Sequence, residues 1–276
     1  MPVVLISRGT MTGSRKCARC LAEKLGVRSI SREDLVDRVD QHGPYAKRVL
    51  EALGKAPRAY DQFSQLRRPY LILMRFALLE LILEGDIVYQ GYSGHLLIPD
   101  MPCCLKIRSD APLDLRVSNA MERLGLPEDQ AREAIRREDE DRLRWARFMY
   151  GCDIRNPKLY DACFSLGRLS TASIATMIAE ALKAPELQPT EGTQSTLRDL
   201  YLSSRVEAEL ITNPDTVPPG TEIGARTRAG NVLLEGPYLG PDMVEKIIGI
   251  ARSIPGVRAA DYRPGYATGP ELRSGI

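Results

Sequence analysis

Several common functional classes are excluded by what this chain has little of. It carries only two histidines, His42 and His95, and they are isolated from one another and from every cysteine pair. Its formal net charge over 276 residues is +2. That is too small to argue for a nucleic-acid partner, and none is expected. It has no clean apolar run of membrane-spanning length. The longest, "PYLILMRFALLELILEG", is interrupted by Arg75 and Glu80 and reads as a buried helix. The start, "MPVVLIS", has no basic stretch and is too short for a secretory signal, so a cytoplasmic location is the default expectation. There is no internal repeat, and no low-complexity run apart from one linker-like stretch.

Six cysteines stand at 17, 20, 103, 104, 152 and 163. "CARC" has CxxC spacing and "CC" is vicinal, so a metal or redox reading has to be weighed. Cys17 and Cys20 fall one turn apart in an expected helix, with no histidine nearby. Structural core thiols are the favoured reading, because a buried free cysteine behaves as a small hydrophobe, and no metal site is expected.

The order of elements argues for an α/β fold. "VVLIS" is a continuous apolar run, as expected of a parallel strand buried on both faces. A helix from about Ser14 follows, stopped at Gly26. Ser31 with Asp34 three residues on is a capping-box pattern that starts another helix. Residues 41–65 read as irregular or short-helical, and 66–83 as a long helix. "DIVYQG", "CCLKIR" and "DACFSL" are three further strands. They alternate with a helix stopped at Gly125, a long helix entered at Pro127 and a last helix capped by Ser170. The expectation is a mostly parallel sheet with helices on both faces over residues 1–183. A Pro- and Thr-rich linker follows at 184–196. Residues 197–263 then read as helix, strand, strand, helix, strand, a small α+β domain with a turn at "RAGN". Residues 264–276 form a tail.

Two stretches carry chemistry. The first strand runs into "SRGTMTGSRKCARC", where a strand turns into a helix. Backbone N–H groups converge at such a turn, and the helix dipole favours an anion there. Placing Gly13 at the last glycine of GxxxxGK[ST] puts Ser14 at the lysine and Arg15 at the hydroxyl. Arg8, Arg15 and Lys16 stand nearby to supply the missing charge. From spacing alone, an ordinary strand–helix connection is equally open. The second stretch, "RREDEDRLRWAR", holds five arginines among four acids. Composition alone favours a solvated helix laced with pairs such as Glu138 with Arg142. The functional reading is a lid, because phosphoryl transfer needs cations around the transferring group and arginine makes bidentate contacts.

Residues Val3 to Leu182 together resemble the cytidylate kinase-like family of P-loop nucleotide kinases. Its N-terminus looks like "ISREFGSGGREIARKLAEKLG", against "ISRGTMTGSRKCARCLAEKLG" here. Cytidylate kinases carry "RDDRDRNR" in the lid. Here "REDEDRLR" matches at Arg137, Asp141, Arg142 and Arg144. The resemblance implies a P-loop kinase-like domain that uses ATP and Mg²⁺, with a nucleoside monophosphate such as CMP as acceptor. It assigns Thr12, Gly13, Ser14, Arg15 and Lys16 to nucleotide phosphate. Arg137, Arg142 and Arg144 would be the catalytic cations, with Arg8 and Asp141 in support. The sequence also departs from the pattern. Glycines are lost at Met11 and Ser14, and the Gly-Arg expected after the second strand, its arginine suited to substrate phosphate, is read here as Gln90-Gly91, with His95 as a substitute or a structural residue. A weak or inactive phosphotransferase therefore stands beside the active one, the alternative being a nucleotide sensor or scaffold. Residues 195–263, with "GNVLLEG" and "IARSIPGV", resemble a BON domain, a small binding module linked to membranes or ligand regulation. Its ligand and any homo-oligomer are left open.

Overall fold

The structure, a computed structural model, describes residues 3–53, 64–217 and 219–265. In chain order the elements are β1 (Val3–Arg8), α1 (Ser14–Leu25), β2 (Arg28–Ser31), α2 (Arg32–Asp40), α3 (Pro44–Leu53), α4 (Ser64–Leu83), β3 (Ile87–Gly91) and β4 (Cys104–Asp110). Then come α5 (Leu113–Leu124), α6 (Glu128–Tyr150), β5 (Ala162–Ser165), α7 (Thr171–Ala181), α8 (Glu191–Thr212), β6 (Gly224–Arg228), β7 (Asn231–Gly236), α9 (Pro241–Ser253) and β8 (Ala259–Pro264). They cluster into two units. One comprises Met1–Asp34 and Glu84–Pro189, the other Leu35–Leu83 and Thr190–Ile276.

The first unit is built on a five-stranded sheet in the order β2-β3-β1-β4-β5, every pair parallel. Helices lie on both sides, as expected of the P-loop kinase-like α/β fold. The apolar β1 is central because it is buried on both faces. The chain builds first to one side of it, then to the other, so β1 and β4 flank the switch point where α/β sheets open a crevice. Ser7 pairs with Gly91, and Arg8 with Ser109, which sets the strand ends level. On one side α1 and α7 bury Cys17, Ala18, Leu21, Ile174, Ala175 and Ile178 against the sheet. Cys17 is a core residue here, and burial pushes its thiol up to about 11. All six cysteines are free thiols, and Cys103 and Cys104 are buried as well.

The capping box forms: Ser31 N–H donates to Asp34 Oδ2 (2.7 Å) and Asp34 N–H to Ser31 Oγ (3.1 Å). The sequence reading missed β2 just before it. Its four residues pair with β3, but only Ile30 is buried, so the strand leaves no apolar run. Gly26 and Gly125 both end helices in the left-handed conformation, and Ser170 caps α7. Of the stretch read as irregular or short-helical, 44–53 is α3, and 54–63 lies outside the described residues.

In the second unit, α8, β6, β7, α9 and β8 form the anticipated αββαβ arrangement. The β6–β7 pair is antiparallel and β7–β8 parallel. The hairpin turns at Ala229 and Gly230, both at positive φ, which a two-residue turn of this hand requires. Asp199 on α8 accepts both turn N–H groups, at 2.8 and 3.1 Å, and so offsets the strain at Ala229. Val232, Leu234 and Ile247 enter the core, with Ile248 and Ile250 packed beside it. Leu233 points to the other sheet face, as the period of two demands. The stretch read as linker contains a 3-10 turn at Pro185–Leu187 and a capping box at Thr190, and α8 begins there. Of the tail, 266–276 lies outside the described residues. Among the described residues no helix is long and apolar enough to cross a membrane.

The two charges that interrupt the apolar run of α4 are both used within this unit. Glu80 accepts from His42 at 3.2 Å. Arg75 pairs with Glu207 on α8 and donates to Ser204 Oγ at 3.0 Å. Glu207, 1 % exposed, also accepts from Ala225 N–H at 3.1 Å. Arg68 adds a bond to the Ile223 carbonyl at 2.8 Å. Breaking such a pair leaves a buried charge, at a cost of about 3–5 kcal/mol, whereas replacing both partners by apolar groups is often neutral. We expect Arg75→Met to destabilise the protein by roughly that amount and Arg75→Met/Glu207→Leu to recover most of the loss, measured by urea unfolding. Equal losses in the single and double variants would refute the assignment.

Candidate functional site

The loop that follows β1 keeps the path of a phosphate loop with little of its glycine. Met11 lies at φ 55° and Gly13 at φ 82°. A left-handed methionine is strained by about 1–2 kcal/mol, and α5 holds it in place. Asn119 Nδ2 donates to the Met11 carbonyl at 2.8 Å, and Arg116 Nε to the Thr10 carbonyl at 2.7 Å. The Met11 side chain packs against the small α5–α6 core of Val117, Ala120, Ala131 and Ile135. Helix α1 starts on Gly13, whose carbonyl accepts from Lys16 N–H at 3.0 Å. Gly13, Arg15 and Lys16 are exposed there.

Ser14, at the lysine position, points inward. It is 2 % exposed, lies 2.5 Å from Thr12 Oγ1 and donates to Ser109 Oγ on β4 at 3.0 Å. A closed hydroxyl network thus occupies the space in which a lysine side chain would begin.

Beside this loop, at the C-terminal ends of β1 and β4, lies a cavity of about 240 Å³. Arg8, Arg108, Arg116, Arg142 and Arg155 line it, with Asp110, Asp139 and Glu140. Each arginine has its own carboxylate. Arg8 reaches Glu33 at 3.5 Å, Arg108 reaches Asp110 at 3.0 Å, and Arg116 reaches Asp139 at 2.6 Å. Arg142 pairs with Glu138, and Arg155 with Asp153 at 2.6 Å. Arg108 also donates to the Ile154 carbonyl at 2.8 Å. Burial pulls the pKa of Arg142 below that of an exposed arginine.

Of the expected site residues, Arg8 and Arg142 reach the cavity and the others do not line it. Arg137 is exposed and faces Glu133 at 3.6 Å, and Arg144, also exposed, pairs with Asp141. Arg15 faces Glu33 at 3.6 Å. The helix is laced with ion pairs, Glu138 with Arg142 among them, and Arg142 also lines the cavity. Arg108, Arg116 and Arg155 were missed. The available signal was "RSD" at the end of an apolar strand, where α/β sheets place their polar groups.

The bend after β3 corrects the reading of Gln90-Gly91. A Cβ on Gly91 would collide with the Tyr89 ring, so glycine is sterically required at that position. Setting the family's Gly-Arg glycine there puts its arginine at Tyr92, not at Gly91. Tyr92 stacks on Arg142 and Arg8 instead of supplying a charge of its own. His95 is buried against Tyr160, with ring centroids 4.5 Å apart, and neither ring nitrogen has a partner among the described residues.

The cytidylate kinase-like family model matches residues 3–168. This chain belongs to the cytidylate kinase-like family. A cytidylate kinase of Methanothrix thermoacetophila is 30% identical over 185 residues, covering 66% of this chain and 99% of that protein. A cytidylate kinase of Methanopyrus kandleri is 29% identical over 106 residues, 37% of this chain and 54% of the relative. The crystal structure of an uncharacterized protein from Eubacterium ventriosum matches with a TM-score of 0.52 at 17% identity. That match covers 67% of this chain and 99% of the other, and it speaks to the fold. Membership of a kinase-like family implies nucleotide substrates. The match spans the strand–loop–helix start and α6.

Burial lowers the His95 pKa to about 3, and the charges of Lys106 and Arg108 act in the same direction. A folded-state pKa below the ordinary value of about 6.5 means that the unfolded chain binds the proton first. The contribution is fully present above pH 6.5 and is lost as pH falls toward 3. We expect His95 to cost about 2 kcal/mol of stability between pH 7.5 and pH 5. His95→Gln removes that part of the slope in urea unfolding at the two pH values. An unchanged slope in the variant would contradict a buried neutral ring.

Proposed function

We propose that this protein is an ATP-dependent phosphotransferase of the nucleotide kinase kind, with a nucleoside monophosphate such as CMP as acceptor. The observation that carries this reading is the convergence of five arginines on one cavity at the ends of β1 and β4, beside the loop that opens α1. In this reading the backbone from Thr12 to Lys16 and the α1 dipole hold nucleotide phosphate. Arg142, with Arg8, Arg108 and Arg116, neutralises charge on the transferring group and the acceptor phosphate. Arg137 and Arg144 join only by leaving Glu133 and Asp141. Asp141 holds Arg144 in position. Among the described residues no cluster of three ligating side chains is found, while single carboxylates such as Asp110 line the cavity. That fits Mg²⁺, which is typically held by one or two carboxylates plus substrate phosphates. The ion would supply further charge neutralisation.

A second reading is supported by the inward Ser14 network and by the carboxylate on every cavity arginine. The first domain is then a nucleotide sensor, and the αββαβ module, BON-like in its strand and helix order, is the effector that takes a ligand or partner.

Purified protein incubated with Mg-ATP and each nucleoside monophosphate should yield nucleoside diphosphate, and Arg142→Gln should lower kcat/KM by about 10² or more. Absence of turnover together with calorimetric ATP binding supports the sensor. Absence of both overturns the two readings alike.

A further inference from the structure

Tyr92 is not among the expected site residues, yet it contacts two of the cavity arginines and the end of β1. Its backbone carbonyl accepts from Ser7 Oγ at the end of β1 (3.0 Å). Its ring carries two guanidinium groups. The Arg142 Cζ lies 3.6 Å from the ring centroid and the Arg8 Cζ 4.9 Å. Its hydroxyl accepts from Arg142 Nη2 at 2.5 Å. One phenol thus joins the end of β1 to the lid helix α6.

This arrangement has a cost that the ring opposes. Two like charges are brought to one place, and Arg142 is largely removed from water. An aromatic face attracts a guanidinium through its quadrupole and gives it a flat surface to stack on. Glu138 and Glu33 take part of the charge, and Gln90 Oε1 accepts from Arg8 Nη1 at 3.2 Å. After these contacts Arg142 Nε and Nη1 and Arg8 Nε remain buried without a partner among the described residues. Three donors from two side chains, held by one ring, are what an oxyanion with several acceptor oxygens satisfies.

We propose that Tyr92 is the positioning residue of the cavity, its ring holding Arg8 and Arg142 together as a receptor for one phosphate-type oxyanion. The proposal rests on the reading of this cavity as the place where phosphate is handled. A spacer role would need only apolar bulk, whereas a positioning role needs the π face. Tyr92→Phe therefore keeps the function and Tyr92→Leu loses it.

The test uses the full chain and two readouts. The first is the ¹⁵N–¹H signal of the arginine Nε–H groups, with that of Arg142 assigned through Arg142→Lys. Ring-current displacement of that signal is expected in the wild type and in Tyr92→Phe, and its loss in Tyr92→Leu. The second is calorimetric binding of inorganic pyrophosphate. Tyr92→Phe should stay within about threefold of the wild type and Tyr92→Leu should bind roughly tenfold more weakly. Equal losses in Phe and Leu, or an undisplaced Arg142 signal in the wild type, overturn the proposal. A displaced signal without pyrophosphate binding in the wild type overturns the oxyanion receptor and the phosphate reading, while leaving the arginine pinning in place. If melting shows Tyr92→Leu to be unfolded, Tyr92→Met makes the same deletion of the ring with a longer chain, and the same two outcomes decide.

Discussion

Five guanidinium groups meet at the ends of β1 and β4, and the first domain is arranged around keeping them there. Such a cluster is unfavourable on its own, through mutual repulsion and through loss of water around each charge. Four of the five are therefore anchored by at least two groups, and Arg155 is held by Asp153. Arg108 uses Asp110 and the Ile154 carbonyl, Arg116 uses Asp139 and the Thr10 carbonyl, and Arg142 uses Glu138 and the Tyr92 ring. The anchors come from β4, α6, the loop after β1 and the bend after β3. The bend after β3 bears on two of them, because Tyr92 contacts both Arg8 and Arg142.

One carboxylate per arginine also sets how an anion enters. The cavity is close to neutral as it stands, so binding exchanges ion pairs and does not simply satisfy bare charge. The exchange costs little where the carboxylate is itself exposed, as at Asp110 and Asp139, both about two-fifths exposed. It costs more where the guanidinium is buried. Outside the strands Arg116 and Arg142 are about equally buried, at 12% and 13% side-chain exposure, and Arg142 is also one of the arginines of the family resemblance.

Much of this was legible before any coordinates. The strand–loop–helix start, the stops at Gly26 and Gly125, the caps at Ser31 and Ser170 and the cavity arginine Arg142 are local patterns, and local patterns survive without a fold. Arg116 was not legible, because its role depends on how α5 meets the loop after β1, and for Arg108 the polar end of an apolar strand was a hint that strand register alone completes. The four-residue β2 was hidden by having one buried side chain. Tyr92 was hidden differently: the residue is unremarkable until Gly91 is seen to be sterically required, and only then is its position fixed. The pairing of Arg75 with Glu207 joins residues 132 apart and no spacing rule reaches that far.

That last separation has a consequence for how the protein is made. Helix α4 leaves the ribosome with Arg75 in its apolar face, long before Glu207 and the rest of α8 exist. At synthesis rates of about 5–20 residues per second, the wait is on the order of ten seconds. Throughout it the charge at the centre of that apolar helix has no native carboxylate partner, although α3 and His42 are already made. The newborn chain thus passes through a stage in which its longest apolar segment needs shielding, and completion of the C-terminal module brings that stage to an end.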